Sequence, residues 1–154
     1  MVGADAAAVA APIRAAFAAQ SVATDPPPSA LRVSTADVAT HLSRGGGAVA
    51  EAAGRLAGSA LWTDQDGGLY LSRLAVTPAF RRCGVARALV AAAEAAAWQA
   101  GLARMRLSTR LVLLDNRRLF ATCGFVETTC EAHPGYAEPT FVNMEKVLNA
   151  LPSR

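Results

Sequence analysis

The sequence predicts a single mixed α/β domain whose central sheet contains two parallel strands joined by a helix. Three observations indicate this class. Apolar residues recur at helical spacing in some segments and at strand spacing in others. A segment that is apolar on both faces, residues 69–77, is followed by the alanine-rich stretch 84–100. The 154 residues, of which 53% are hydrophobic, suffice for one buried core, so residues 1–154 are predicted to form one domain.

Two helices are predicted before the sheet begins. Within residues 4–20, apolar side chains recur every three to four positions, which is typical of an amphipathic helix. Pro12 favours a helix that begins near it, because proline is tolerated in the first turn but not in the interior. Ser34 or Thr35 is a suitable cap for a second, short helix, which the triple glycine at 45–47 stops.

Three strands should follow these helices. Residues 48–51 and 55–62 form two strands joined by a tight turn at Ala53-Gly54, and a second turn lies at Gly67-Gly68. The next segment, 69–77, is a central strand because both of its faces are apolar. Pro78 cannot donate to a strand ladder and ends it.

The second half of the chain alternates helices and strands. From Gly84 a helix with one buried stripe runs to a glycine cap at Gly101, and residues 105–109 alternate as a strand. This strand is predicted to lie parallel to residues 69–77, with the helix as the crossover. The last predicted elements are a short helix over 118–122 capped by Asp115 or Asn116 and closed by Gly124, and strands over 125–130 and 140–147.

Composition excludes several classes of protein. The chain carries 18% charged residues and no apolar run near the eighteen or so residues that span a bilayer, which predicts no membrane partner. Its start lacks the pattern of a secretory signal, so a cytoplasmic location is expected. The net charge of +3 is too small and scattered to indicate nucleic-acid binding. The three cysteines lack zinc-site spacing, so no metal is predicted.

The segment from Arg81 to Ala86 has the features of an anion-binding turn. It lies between a predicted strand and a predicted helix, where free backbone N–H groups meet anions. Gly84 allows the backbone to approach a ligand closely, and the neighbouring arginines add positive charge. The turn is therefore predicted to hold a phosphorylated cofactor. A P-loop is disfavoured because no Gly-Lys-Ser/Thr follows the glycine.

Residues 71–125 resemble the core of the GNAT superfamily of acetyl-coenzyme A-dependent N-acetyltransferases. The family's cofactor signature is Gln or Arg, two residues, Gly, one residue, and Gly or Ala, and Arg81, Gly84 and Ala86 match it. Leu-Ala-Val-x-Pro precedes this motif, and the Leu119-Phe120 and Gly124-Phe125 pairs resemble the family's second cofactor-contacting helix. The resemblance implies a three-layer GNAT fold, whose mixed central sheet has a splayed parallel strand pair at the cofactor site.

The resemblance also implies that acetyl-coenzyme A is the cosubstrate and suggests how it is held. Backbone groups of Leu74 and Val76 would pair with the pantetheine arm, and the Val76 N–H would polarise the acetyl carbonyl. Amides of residues 82–87 would surround the pyrophosphate, and the guanidinium of Arg82 or Arg87 could reach phosphate. The predicted cofactor-binding residues are Leu74, Ala75, Val76, Arg81, Arg82, Cys83, Gly84, Val85, Ala86, Arg87, Asn116 and Phe120.

The sequence departs from the family where a tyrosine often follows the leucine of the second cofactor helix. Here that residue is Phe120, which cannot protonate the departing thiolate. The acid is therefore either supplied elsewhere or replaced by water, and Tyr70, Tyr136 and Cys123 are the candidates. Tyr136 is included with Glu51 and Val76 among the predicted catalytic residues; it follows Pro-Gly in a turn, which either lines the substrate mouth or is an ordinary surface turn. Asn116 lies closer to the aromatic residue than the family's loop asparagine does, so a helix cap is its alternative role.

A base must also take a proton from the amine. Glu51, at the end of its strand, is the first choice. Weaker candidates are Asp64, Asp66 and His133. Direct transfer is favoured over an acetyl-cysteine intermediate, because no cysteine has an activating partner in the sequence.

Arg73 is a charged residue inside an apolar strand, and two interpretations are open. Its side chain either enters the acceptor cleft and favours a carboxylate-bearing substrate, or forms a structural ion pair with Glu51 or Asp64.

The predicted function is direct acetyl transfer to a primary amine of a small molecule or peptide, by a monomer or homodimer. The alternative is an acetyl-coenzyme A-binding regulatory module with weak or no catalysis, which Phe120 makes reasonable.

Overall fold

The computed structural model describes residues 6–19 and 24–148, and in this part of the chain a six-stranded mixed sheet lies between two layers of helices. The helices are α1 (Ala6–Ala18), α2 (Thr35–Arg44), α3 (Val85–Gln99) and α4 (Leu114–Thr122). The strands are β1 (Gly45–Ala52), β2 (Arg55–Gln65), β3 (Gly68–Val76), β4 (Arg104–Arg110), β5 (Val126–Glu131) and β6 (Phe141–Val147). Single 3-10 turns at Ser29–Arg32 and Pro78–Phe80 complete the described elements.

The sheet order is β1-β2-β3-β4-β6-β5. Strands β3 and β4 are parallel and α3 connects them, while the other neighbours pair antiparallel. The predicted order of elements, the parallel crossover and the mixed α/β class are therefore confirmed. None of the helices within residues 6–19 and 24–148 combines the length and the apolarity that a membrane span requires.

Each face of the sheet carries its own hydrophobic cluster. On one face, Leu69, Leu71, Met105 and Met144 belong to a cluster with buried residues of α3 and α4, among them Leu89 and Phe120. The opposite face of β2 and β3 is covered by α1 and α2 through a second cluster of small and branched side chains. Because α1 and α2 cover only β1 to β3, the same face of β4, β6 and β5 stays polar.

Helix α1 begins earlier than Pro12, and the prediction that it starts there was wrong. Its first described turn is at Ala6, and Pro12 lies inside the helix. Val9 and Ile13, on either side of the proline, are buried to 1% and 0% exposure. Burial of this face offsets the roughly 3 kcal/mol that an interior proline costs. The predicted ends at residues 4 and 20 lie outside the described residues.

The triple glycine does more than stop α2. Helix α2 ends at Arg44, as predicted, but Gly45, Gly46 and Gly47 are the first residues of β1 and pair with β2. A Cβ on Gly46 would lie 2.8 Å from the Trp62 Nε1 atom, and a Cβ on Gly45 would overlap the Trp62 carbonyl. The glycines therefore allow β1 to lie close to β2.

The two predicted helix caps have different outcomes. Ser34 caps α2: its Oγ accepts from the Asp37 amide at 3.1 Å, and Asp37 Oδ2 accepts from the Ser34 amide at 2.9 Å. For α4 the prediction was wrong, because the helix begins four residues earlier than expected and Leu113 occupies the cap position. Asp115 and Asn116 lie within its first turn, where a carboxylate still suits the helix dipole.

Candidate active site

Strands β3 and β4 separate from each other towards their carboxyl ends. They pair only at Gly68 with Arg104, Leu69 with Met105 and Tyr70 with Arg106. Beyond this point β3 continues to pair with β2 as far as Val76, and β4 continues to pair with β6 as far as Arg110. The sheet therefore has a wedge-shaped opening between two strands whose outer neighbours hold them in place.

A β-bulge lies in β3 beside this opening. Ser59 of β2 pairs with Ala75, whereas Leu61 pairs with Ser72, so β3 has one more residue than β2 between these pairs. Arg73 lies in the bulge with a φ of 50°, a left-handed conformation that residues other than glycine rarely adopt. A bulge bends its strand and redirects side chains, which explains why the apolar alternation of β3 ends here.

The register of β3 shows which backbone groups face the opening. The Thr77 amide donates to the Ala57 carbonyl of β2 at 2.8 Å, and Ala75 pairs with Ser59. Because polar groups alternate between the two sides of a strand, the amide and carbonyl of Leu74 and Val76 point away from β2, towards the gap. Pantetheine pairing by these two residues remains a prediction, and the backbone orientation suits it.

The turn before α3 has an uncapped helix N-terminus. Gly84 is the N-cap residue with a φ of 78°, and no side chain caps the helix. Among residues 6–19 and 24–148, the amides of residues 82–87 have no backbone acceptor, and the first bond is from Ala88 to Gly84 at 3.1 Å. A Cβ on Gly84 would meet no protein atom within 4 Å, so the space beside this turn is open.

One glycine joins this turn to the opening in the sheet. Gly58 of β2 pairs with Val76, and a Cβ on it would lie 2.8 Å from both Val85 Cγ1 and the Ala75 carbonyl oxygen. The missing side chain lets the first turn of α3 pack directly on the sheet. The free amides therefore lie close to the carboxyl end of β3.

The three arginines of the predicted phosphate site have different surroundings. Arg81 donates from its guanidinium to the carbonyls of Ala19 and Ala16, at 3.1 and 3.2 Å, and so caps the end of α1. Arg87 donates to Thr122 Oγ1 at 2.9 Å and joins α3 to α4. Arg82 is exposed, and its guanidinium has no partner in the described part of the chain. Of the two side chains predicted to reach phosphate, only that of Arg82 is free.

The other predicted cofactor residues differ in how far their side chains are exposed. Phe120 is only 6% exposed, and its ring packs edge-to-face on Phe125, 6.1 Å between centroids. Its ring is thus mainly part of the core. Asn116 is exposed on the first turn of α4, and Cys83 is exposed within the turn before α3.

Three side chains from the margins of the opening hold one short segment, residues 25–29. Arg73 of β3 donates to Ser29 Oγ at 2.9 Å. Arg110, the last residue of β4, donates to the carbonyls of Pro26 and Pro27, the second at 3.4 Å. Tyr136, in the β5–β6 loop, donates its hydroxyl to Asp25 Oδ1 at 2.5 Å. The segment therefore lies over the carboxyl ends of β3 and β4.

Two titratable side chains of the β5–β6 loop have altered pKa values. The pKa of Tyr136 is raised, first by its hydrogen bond to Asp25 and then by desolvation and the Asp25 charge. The pKa of His133 is lowered by desolvation and then by the Arg110 charge. The His133 ring pairs through Nδ1 with Thr140 Oγ1 and packs on Phe141 at 4.9 Å. A neutral imidazole is therefore favoured at neutral pH, and it can accept a proton.

The predicted base, Glu51, is not brought to this cluster. It is exposed near the end of β1. The preceding residue, Ala50, pairs with Gly58 of β2, which in turn pairs with Val76 of β3. Two strand spacings separate β1 from β3, about 10 Å, so a proton from an amine in the opening would need a water path to reach it. Asp64 and Asp66 are on the opposite end of β2, where Asp66 pairs with Arg106 at 3.9 Å.

The two remaining candidate acids have other contacts. The Tyr70 hydroxyl donates to Ser108 Oγ at 3.0 Å, and Ser108 in turn donates to Asn143 Oδ1 at 2.6 Å. Cys123 is partly buried against the cluster on the α3 face. Of the three candidate acids, Tyr136 is the one whose hydroxyl donates to segment 25–29, at Asp25.

The polar face of β4 and β6 contains a cleft of about 310 Å³ next to the opening. Its lining includes Tyr70, Thr128, Asn143 and Glu145. Sequence reasoning missed this surface, together with Asp25 and Arg110. The signal was present in β4, where Arg104, Arg106, Ser108 and Arg110 alternate with apolar residues and thereby mark one polar face.

Metal ligands are not grouped in the described residues. Within 6–19 and 24–148, no three side chains of His, Cys, Asp or Glu are arranged to hold an ion. The prediction that the protein needs no metal stays a prediction.

Comparison with known proteins identifies the family. The model of the acetyltransferase (GNAT) family matches residues 16–125, more than half of the chain. The chain belongs to the GNAT acetyltransferase family. The matched region contains β3, the opening, the turn at Gly84 and α4, so the family assignment covers the geometry described above. A search of curated proteins finds no match.

Solved structures share this GNAT fold at low sequence identity. The acetyltransferase of GNAT family from Streptococcus pneumoniae is 16% identical, with a TM-score of 0.76 over 97% of this chain and 96% of that one. A ribosomal-protein-alanine N-acetyltransferase from Brucella melitensis is 18% identical, with a TM-score of 0.74 over 96% and 97%. A protein from Bacillus anthracis that is named a putative streptothricin acetyltransferase, solved in complex with acetyl coenzyme A, is 17% identical, with a TM-score of 0.61 over 66% of this chain and 61% of that one.

Proposed function

We propose that this GNAT protein is an acetyl-coenzyme A-dependent N-acetyltransferase that transfers an acetyl group directly to a primary amine of a small molecule or peptide. The observation that carries the proposal is the position of the uncapped α3 N-terminus beside the opening between β3 and β4. Acetyl-coenzyme A would supply the acetyl group as a thioester. The structure of a similar protein in complex with acetyl coenzyme A supports this choice of cosubstrate.

The residues present fit such a cosubstrate. Free amides of residues 82–87 and the guanidinium of Arg82 suit a pyrophosphate, because both offer donors without competing partners. The open space beside Gly84 lets a phosphate approach the backbone. Unpaired backbone groups of Leu74 and Val76 suit the amides of a pantetheine arm.

Each chemical task then has a candidate group on this chain. The Val76 N–H faces the opening and would donate to the carbonyl oxygen as negative charge develops on it. The Tyr136 phenol, whose raised pKa keeps it protonated, would act as the acid. Glu51 would act as the base through water, as the sequence predicts. His133 is a second candidate base, favoured by its lowered pKa and its position beside Arg110.

The acceptor is proposed to be an amine because two lines of support agree. The resemblance noted in the sequence is to N-acetyltransferases, and a similar fold belongs to an enzyme named for acetylating alanine of a ribosomal protein. The polar face of β4 and β6 offers hydrogen-bonding groups to a small molecule or a peptide end. We further propose that the protein acts as a monomer or homodimer in the cytoplasm, without nucleic-acid or membrane partners.

A second candidate function is an acetyl-coenzyme A-binding regulatory module with weak or no catalysis. The observation in its favour is Phe120, whose ring carries no hydroxyl and lies mainly in the core. Such a module would bind the cosubstrate equally well, since none of the binding groups named above depends on an acid at position 120.

Two measurements separate these functions. Calorimetry with acetyl-coenzyme A tests the cofactor site, and both functions require binding. Thiol release across a panel of primary amines, with mass spectrometry of the acetylated product, tests transfer. Binding with no product from any amine would leave the regulatory module, and an absence of binding would overturn both.

A further inference from the structure

Arg73 is a guanidinium without a counter-ion at the edge of the opening. In the part of the chain that the structure describes, its single hydrogen bond is to the neutral hydroxyl of Ser29, and none of the ion pairs includes it. The structural ion pair with Glu51 or Asp64 that the sequence left open is therefore not formed. The Nε atom of Arg73 is buried and has no partner.

A partly buried guanidinium without a counter-ion destabilises the fold unless an anion binds to it. Desolvation of a guanidinium is unfavourable, and the pKa of Arg73 is lowered mainly for this reason. A smaller, opposing effect comes from the Asp37 carboxylate in α2. Asp37 is too distant for an ion pair, and one of its oxygens already accepts the Ser34 amide. The bulge also holds Arg73 at a φ of 50°, so the backbone is strained where the guanidinium is left unpaired.

The position of Arg73 relates this charge to the proposed reaction. It precedes Val76, whose N–H faces the opening, by three residues, which is at most about 10 Å along an extended strand. Its partner Ser29 belongs to segment 25–29, which is also held by Arg110 at the end of β4. A group bound by Arg73 would thus lie on the same strand as Val76, at a distance that a small acceptor can span.

We infer that Arg73 and Ser29 form a binding site for a carboxylate on the acceptor, so that the preferred substrates are amines that also carry a carboxylate. This inference rests on the proposed transferase function and adds the class of its acceptor. A guanidinium presents paired N–H donors that match the two oxygens of a carboxylate, and the Ser29 hydroxyl adds a third donor. The separation from Val76 sets an upper limit on the spacer between the amine and the carboxylate.

The test uses matched substrates that differ only in charge. The series runs from glycine to 6-aminohexanoate, each compared with its own carboxamide, with rates expressed per concentration of neutral amine. For the wild-type protein, kcat/KM for the amino acid of best length should exceed that of its carboxamide by about tenfold or more, chiefly through KM. Equal values throughout the series would overturn the inference.

The variants separate recognition from folding. Arg73→Gly removes the guanidinium at a φ that glycine adopts without strain, so the variant should fold, and the carboxylate preference should be lost. Arg73→Lys should keep part of it, and Ser29→Ala should reduce it. Arg104→Gln is the matched control. Arg104 is the first residue of β4, at the end where β3 and β4 are still paired, and it forms an ion pair with Glu145 at 3.8 Å. The carboxylate preference of Arg104→Gln should equal that of the wild type. A carboxylate preference that persists in Arg73→Gly would contradict the inference.

A binding measurement keeps the two proposals distinguishable. The same amino acid and carboxamide pairs are titrated by calorimetry into wild-type and Arg73→Gly protein saturated with coenzyme A. A carboxylate preference that disappears in the variant, with no turnover of any amine, supports the carboxylate site while the transferase function fails. Turnover without any carboxylate preference supports the transferase function and overturns the site.

Discussion

The Tyr136 hydroxyl donates to Asp25 Oδ1 at 2.5 Å, although 111 residues separate the two in sequence. The contact connects the β5–β6 loop to segment 25–29 at the carboxyl ends of β3 and β4. It also raises the pKa of Tyr136 above its ordinary value, since a phenol that donates to a carboxylate holds its proton more firmly. The contact therefore both positions this candidate acid and favours its protonated form.

Tyr136→Phe should lower kcat by about 10²-fold or more if the phenol is the general acid, while acetyl-coenzyme A affinity is unchanged. Because the folded-state pKa is raised, the protonated phenol persists at alkaline pH, and the activity it supports is lost as pH rises through that pKa. Asp25→Asn removes the cause of the shift, so the alkaline limb of the kcat–pH profile should move to lower pH. An unchanged kcat in Tyr136→Phe would exclude Tyr136 as the acid.

Gly84→Ala and Gly101→Ala form a matched pair at the two ends of α3. Both glycines have positive φ, 78° and 72°, and open space where a Cβ would lie. Each substitution should therefore lower the free energy of unfolding by about 1 kcal/mol in a urea titration. Only Gly84→Ala should also weaken acetyl-coenzyme A binding in calorimetry. If both variants bind like the wild type, the turn before α3 is not the phosphate site.

Arg81→Gln and Arg82→Gln should separate stability from binding. Arg81 holds the end of α1 through two carbonyls, so its loss should cost about 1–2 kcal/mol of unfolding free energy and little affinity. Arg82 is free, so Arg82→Gln should leave stability unchanged and reduce acetyl-coenzyme A affinity, with a weaker dependence of binding on salt. The opposite pattern in the two variants would assign the phosphate contact to Arg81.

Ala53→Asn should stabilise the β1–β2 hairpin. Ala53 and Gly54 both have positive φ, 52° and 74°, as a two-residue type I′ turn requires. The β2–β3 hairpin adopts the same conformation with Asp66 and Gly67, a more favourable pair. This turn lies one residue earlier than the predicted Gly67-Gly68, because Gly68 is already the first residue of β3. The expected gain is about 0.5–1 kcal/mol in unfolding free energy, and Asp66→Ala should lose a similar amount. A loss of stability in Ala53→Asn would contradict this account.

The sequence determined the elements of this fold because their signals are local. Periodicity located the strands and α3, the triple glycine marked the end of α2, and the Arg81, Gly84 and Ala86 spacing predicted the turn whose amides are free. Two predictions about helix ends were wrong. Pro12 lies inside α1 because tertiary burial of Val9 and Ile13 outweighs its helix-breaking tendency. The α4 cap shifted because the helix starts at Leu114.

The site depended on contacts between distant residues, which the sequence alone does not encode in any short pattern. The hydrogen bonds of Arg73 to Ser29 and of Tyr136 to Asp25 join parts of the chain 44 and 111 residues apart. Whether Arg81, Arg82 or Arg87 is free depends on which carbonyl or hydroxyl lies within reach of its guanidinium, and packing decides this. The sequence by itself therefore determined the fold class and the position of the glycine turn before α3, because both follow from local conformation. Only the tertiary structure decided which charged side chains remain unpaired at the opening, because pairing depends on distances between separate elements.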